Sequence, residues 1–153
     1  MNQRINYSKA APKAIKGIME MEKYAASILE TPLIELVKLR ASQLNGCAYC
    51  IDMHTKDARA AGETEQRLYT LSVWRETTFF SDREKAALEW TEVLTLISQN
   101  DVPDVLFTAV RDHFGEEELI ALSICINAIN SWNRLAIGFR TPVGTYQPAK
   151  QIK

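Results

Sequence analysis

Residues 45–54 read Asn45-Gly46-Cys47-Ala48-Tyr49-Cys50-Ile51-Asp52-Met53-His54. Two residues separate the cysteines, and His54 lies four beyond Cys50. On a helix, positions i, i+3 and i+7 share one face. Cys47, Cys50 and His54 therefore line up, with Cys47 at a helix N-terminus just after Gly46. A helix N-terminus favours negative charge and so lowers a thiol pKa. The imidazole of His54, one turn from Cys50, can take the Cys50 proton and later return one. The other thiol can capture an oxidised first thiol. A thiolate, a base and a resolving thiol on one surface are what cleavage of an O–O bond requires. The thiolate is oxidised to sulfenic acid, which then condenses to a disulfide.

Other readings compete for these residues. A Cys-x-x-Cys pair arises often by chance, and two core cysteines beside an unrelated histidine would need no function. A zinc site is the sharper rival. However, Cys47 and His54 are about 10 Å apart along a helix axis, whereas zinc ligands sit ~2.0–2.3 Å from the metal. No further Cys or His cluster offers a fourth ligand, and His113 is isolated. A thioredoxin-type motif belongs beside a βαβ pattern, and no strand pattern accompanies this one. We therefore expect no metal and no bound cofactor, only a redox-active Cys47–Cys50 pair.

The elements that must position these groups read as helices. Residues 9–29 place Ala14, Ile18, Met21, Ala25 and Ile28 three or four apart, as one helix face requires. Thr31-Pro32 reads as an N-cap with proline in the first turn, opening a helix Pro32–Asn45 that Gly46 stops. A third helix runs from about Ala48 to Ala61. Thr64 caps a short fourth through Val73. Ser81-Asp82-Arg83-Glu84 is a capping box that opens a fifth, Asp82–Ser98. Pro103–Phe114 and Glu116–Ile137 are the sixth and seventh, the last being the most apolar and hence central. From Thr141 the tail carries Pro142, Gly144 and Pro148 and is expected to be extended. No stretch alternates with period two. The expected fold is all-α, a single domain over residues 1–153 built as a compact bundle of about six to seven short helices.

Glu35 sits among Leu33, Ile34, Leu36, Val37, Leu39 and Leu44, and has two readings. It is either a first-turn acid that complements the helix dipole, or a tight turn at Gly46 folds this helix back and aims Glu35 at the thiol–imidazole face. Cys125, midway along the most apolar helix, reads as an inert core residue. His113 at a helix end suits the dipole. Asn127, Asn130 and Arg134 form a polar stripe on an apolar helix and need partners if buried, from an oligomer interface or an active-site wall. Trp74, Trp90 and Trp132 read as packing or interface anchors, and Glu116-Glu117-Glu118 as a solvated first turn.

Composition narrows the classes of function. The 153 residues include 18 Lys plus Arg and 19 Asp plus Glu, a net charge of −1. That balance speaks against a nucleic-acid binder, which shows a basic excess or stripe, and offers no polybasic membrane patch. The longest nearly apolar run, 119–128, contains Ser123 and Asn127 and is too short to span a bilayer. Three cysteines is an odd count, and residues 1–7 show no apolar signal region. A reducing, cytoplasmic setting is expected, where a close cysteine pair is catalytic or metal-binding rather than structural.

Glu35, eleven intervening residues, then Cys47-x-x-Cys50-x-x-x-His54 resembles the AhpD-like alkylhydroperoxidases of the carboxymuconolactone decarboxylase superfamily. Residues 56–63, 74–81, 84–88 and 129–140 extend the likeness over about residues 15–145. The resemblance implies an all-α homo-oligomer, commonly a trimer or hexamer. It implies reduction of an organic hydroperoxide by the cysteine pair, with electrons from an external dithiol partner, a lipoyl-bearing protein in the best-studied branch. By position Cys50 matches the peroxidatic cysteine and Cys47 the resolving one, while Glu35 and His54 match the proton relay. The N-terminal place of Cys47 argues mildly for the opposite order of attack. Where that branch has a histidine before the second cysteine, this chain has Tyr49, a poorer proton shuttle because a phenol titrates near pH 10. The decarboxylase branch lacks the cysteine pair, so its presence counts against action on a small lactone or acid. The alternatives are a redox sensor or dithiol carrier on the same scaffold, or a carboxymuconolactone decarboxylase-like enzyme acting on a small acid.

Overall fold

The computed structural model describes residues 2–148, and its regular elements are all helical. Eight α-helices follow in order: α1 Tyr7–Ala10, α2 Pro12–Ile28, α3 Thr31–Asn45, α4 Ala48–Ala60, α5 Glu65–Thr70, α6 Asp82–Thr95, α7 Asp104–Arg111 and α8 Glu116–Phe139, with a 3-10 turn at Leu71–Glu76 between α5 and α6. The count exceeds six to seven because the expected first helix is two. Ala11 leaves the helical region (φ −138°, ψ 59°) just before Pro12, since a residue preceding proline is driven out of it. Asn6 caps the short α1 by accepting from the Lys9 amide. Thr31 lies inside α3 rather than capping it; Glu30 holds the cap position without a side-chain hydrogen bond. The capping box forms as expected, with Ser81 and Glu84 bonding each other's backbone amides. α6 ends at Thr95 instead of Ser98.

α8 is central as expected, packing against α2, α3, α4, α6 and α7, and α3 shares the centre with it. α3 packs against α4, α6 and α8, and two hydrophobic clusters meet on it. Ile34 and Val37 join α2 and α8 around Phe114, Leu122 and Ile126. Leu36 and Leu39 face the other way, toward Leu71, Trp74, Phe80 and Leu88. A third, smaller cluster sets Cys47 and Cys50 against Ala41, Ile129 and Ala136. Trp74 and Trp90 act as anchors: their indole N–H groups donate to Glu92 and to Ser123 Oγ.

The expected polar stripe of α8 divides. Asn127 and Arg134 are exposed, whereas Asn130 is buried, and the neighbour that completes its network is Asn133. Asn45, the last residue of α3, donates from Nδ2 to Asn130 Oδ1 (2.9 Å) and Asn133 Oδ1 (2.8 Å). Asn133 Nδ2 donates to Ser42 Oγ, and Asn130 Nδ2 to Thr95 Oγ1 and the Ile126 carbonyl. The partners come from within the chain, and they clamp the end of α3 directly before the cysteine pair.

Glu92 ties the opposite side together. It accepts from Arg40, Trp74 and Arg75. Burial alone would raise its pKa, but hydrogen bonds from Arg75 and Trp74 and the charge of Arg40 outweigh this and lower it. Among the described residues, no helix is long and apolar enough to cross a membrane.

Two stability outcomes follow. Asn133→Ala removes one of the two acceptors of the Asn45 amide and the donor to Ser42 Oγ, and should cost about 1–3 kcal/mol in urea unfolding with an unchanged slope; a variant as stable as wild type contradicts the clamp. Glu92 has a folded pKa below its unfolded one, so its stabilisation is complete above the unfolded carboxylate range. It is lost as the pH falls through the folded value. Glu92→Gln should therefore flatten the acid limb of the stability curve, and an unaltered acid limb contradicts this role.

Candidate active site

The site is built on the turn between α3 and α4. Gly46 ends α3 in the left-handed region (φ 68°, ψ 33°), which costs an L side chain roughly 1–2 kcal/mol. Its amide bonds the Gln43 carbonyl and that of Cys47 bonds the Ser42 carbonyl, so the orphan carbonyls of α3 are satisfied within the turn. The chain reverses in one residue. Cys47 becomes the N-cap of α4, and its sulfur accepts from the Cys50 amide at 3.4 Å. A free amide of the helix start thus points at the Cys47 sulfur, an arrangement that favours a thiolate there. The two cysteines are joined as a disulfide with Cα atoms 5.4 Å apart, and both are 1% exposed.

Folding back brings Glu35 of α3 onto His54 of α4. The distance from His54 Nδ1 to Glu35 Oε2 is 2.8 Å, with side-chain exposures of 3% and 13%. An ionised carboxylate can only accept, so Nδ1 carries the hydrogen and donates it. In the neutral imidazole, Nε2 then holds the lone pair. Among the described residues it is the one buried side-chain nitrogen or oxygen without a hydrogen-bond partner. One turn back along the same face is Cys50. The aimed-acid reading of Glu35 is therefore the one the geometry adopts.

Two residues that the motif did not reveal complete the surroundings. Asp57, three beyond His54, brings a carboxylate oxygen to within 4.8 Å of the Glu35 and His54 polar atoms. Among the described residues, these three form the group that could hold a metal ion, and the cysteines are not part of it. The Tyr146 hydroxyl donates to both Asp57 oxygens at 2.8 and 2.9 Å. Burial first, and then this hydrogen bond, push the Tyr146 pKa up, which keeps it a neutral donor. Residues 141–148 are non-helical and strap along α4: the Gly144 amide donates to Asp52, and Lys56 donates to the Tyr146 carbonyl; the rest of the expected extended tail lies outside the described residues. Asp57 had the helical spacing from His54 to be found; Tyr146 is 92 residues from His54 in the chain and carried no local signal.

The remaining candidates fall into place. Tyr49 lies beside the pair, and burial followed by the charges of nearby groups raises its pKa, so it remains a protonated phenol. Cys125 is a free buried thiol pushed up to about 12 by burial, the behaviour of a core residue. His113 sits in the turn after α7, where its carbonyl accepts from Arg83.

Two cavities reach the cysteines. One of about 560 Å³ is lined by Cys47 together with Ile137, Arg140, Pro142 and Val143. The other, about 420 Å³, is lined by Cys50 with Ile15, Met19, Met53 and Trp132. Tyr49 and Ala136 border both.

Comparison with known proteins agrees with this architecture. The profile of the carboxymuconolactone decarboxylase family matches residues 10–93. The uncharacterized protein YdfG of Bacillus subtilis is 53% identical over 138 residues, covering 90% of this chain and 94% of that one. The crystal structure of ATU0492 from Agrobacterium tumefaciens, a protein of unknown function proposed as an antioxidant defence protein AhpD, superposes with a TM-score of 0.89 at 44% identity over 95% of this chain and all of that one. The debrominase Bmp8 shares the fold, with a TM-score of 0.78 at 16% identity over 90% of this chain and 74% of that one. The chain is an AhpD-like member of the carboxymuconolactone decarboxylase family.

Proposed function

We propose that the protein is a thiol-dependent reductase of organic hydroperoxides, cycling Cys47 and Cys50 between dithiol and disulfide. The observation that carries this reading is the imidazole of His54. Its Nδ1–H is committed to Glu35, and its unpartnered Nε2 lies one turn from a cysteine that already pairs with a second. In the reduced state Nε2 takes the Cys50 proton. The thiolate attacks the terminal peroxide oxygen, the O–O bond breaks, and the leaving alkoxide receives the proton from the imidazolium. Cys50 is left as sulfenic acid. The Cys47 thiol then displaces water and forms the disulfide. Glu35 holds the tautomer and offsets the charge on the ring, much as the carboxylate of a hydrolytic triad does.

Electrons come from an external dithiol, for which a lipoyl-bearing protein is the proposed carrier. Tyr49 is a neutral wall of the site in this account rather than a relay group. The functional unit we propose is a homo-oligomer, a trimer or hexamer, in a reducing cytoplasmic compartment. The family resemblance supports these last points.

Steady-state turnover of cumene hydroperoxide with dihydrolipoamide tests the reading. Cys50→Ser and Cys47→Ser should each abolish it. His54→Gln should lower it by about 10²–10⁴-fold, and Glu35→Gln should lower it less. A double serine variant that consumes peroxide as fast as wild type would falsify the proposal. A wild-type rate no faster than that of free dithiol would make the chain a sensor or carrier instead.

A further inference from the structure

The two sulfurs are adjacent, yet each opens on its own cavity. Cys47 lines the larger cavity and not the smaller, and Cys50 lines the smaller and not the larger. Each cysteine is 1% exposed, so reactants must reach the sulfurs through these spaces. From this we infer that the two half-reactions use opposite doors: the hydroperoxide reaches Cys50 through the α2-side cavity, and the dithiol attacks Cys47 through the cavity under the C-terminal strap. The inference rests on the peroxidase reading and assigns its two substrates to two sites.

Exchange chemistry is compatible with the second half of this assignment. Thiol–disulfide exchange proceeds by attack of a thiolate on one sulfur, with the three sulfurs near a line. An attacker on Cys47 must therefore come from the side that faces away from Cys50, and the larger cavity is lined by Cys47 without Cys50. A thiolate of the dithiol bonds to Cys47 Sγ, the Cys47–Cys50 bond breaks, and the electron pair leaves on Cys50 Sγ. That sulfur leaves as a thiolate one turn from His54, and the proton that it takes up is replaced from solvent by the one that the reductant's thiol released on ionising. The second thiol of the reductant then attacks the reductant's own bonded sulfur and expels Cys47 as thiolate. The reductant departs as a cyclic disulfide, oxidised by two electrons, and the protein is left as the dithiol.

The Cys50 cavity suits the body of the other substrate. At about 420 Å³ it falls within the range of small-molecule sites. Ile15, Met19, Met53 and Trp132 give it an apolar lining. Glu22 at its border is held by Lys38 at 2.7 Å. Such a site takes an alkyl or aryl hydroperoxide in preference to hydrogen peroxide. The strap is what shapes the other door. Thr141 is bonded to the end of α8, and Gly144 and Tyr146 to α4, so Pro142 and Val143 lie over Cys47.

Stopped-flow measurement of each half-reaction separates the doors. Val143→Trp should slow reduction of the disulfide by dihydrolipoamide about tenfold and leave oxidation by cumene hydroperoxide within about twofold. Ile15→Trp combined with Met19→Trp should do the reverse, and should spare oxidation by hydrogen peroxide. Both variants slowing the same half-reaction, or neither slowing either, overturns the assignment. An adduct map on the unaltered protein tests the Cys47 door without relying on the variants. Oxidised protein treated with 2-mercaptoethanol and quenched with iodoacetamide should carry the mercaptoethanol on Cys47 and the carbamidomethyl group on Cys50; the opposite pattern overturns the inference. If wild type resists cumene hydroperoxide altogether, the peroxidase reading fails, while the reduction rates and the adduct map still decide the Cys47 door.

Discussion

A buried imidazole serves best as a base for a thiol when its other nitrogen is already held, because that bond fixes the tautomer and the ring orientation. In this chain that condition is met by one hydrogen bond, from His54 Nδ1–H to Glu35 Oε2 at 2.8 Å. Much of the architecture maintains it. Glu35 is on α3 and His54 on α4, so the two helices must lie antiparallel and in register, and the Gly46 turn provides both. The end of α3 is in turn clamped to α8 through Asn45, Asn130 and Asn133. A buried carboxylate with no partner would carry a penalty of several kcal/mol, so the pair also selects this packing over a slipped one.

Much of this was legible in the sequence, for a physical reason. Helix faces are set by spacing, and the positions of Cys47, Cys50 and His54 depend only on the geometry of one helix. The role of Glu35 depends on a single glycine turn, and Gly46 announced that turn. The breaks were harder to read. Ala11 sits on the apolar periodicity of residues 9–29, and Pro12 could equally have been read as the first turn of one long helix. The 3-10 turn at Leu71–Glu76 follows α5 with no composition change to mark it, and Val73 departs from helical angles inside it.

Contacts made across the fold left no trace in local pattern. The polar stripe on α8 was visible, but which members turn inward depends on where α3 ends. Asn127 and Arg134 face outward while Asn133, one residue from Arg134, is buried. Tyr146 lies in a stretch whose prolines and glycine say only that it is not helical. Its hydroxyl nonetheless meets Asp57 beside the His54–Glu35 pair. The same strap covers Cys47, so the non-helical end of the chain has as much influence on the redox centre as the helices that carry the sulfurs.

The central claim is that Cys47, Cys50 and His54 form a reactive unit and Cys125 is a bystander. The most direct test mixes fully reduced protein with one equivalent of cumene hydroperoxide in a stopped-flow instrument, counts free thiols before and after, and maps the product by mass spectrometry. The account predicts loss of two thiols per chain as a Cys47–Cys50 bridge, formed far faster than free cysteine reacts, with Cys125 still reduced. Retention of all three thiols, or oxidation that begins at Cys125, would contradict it.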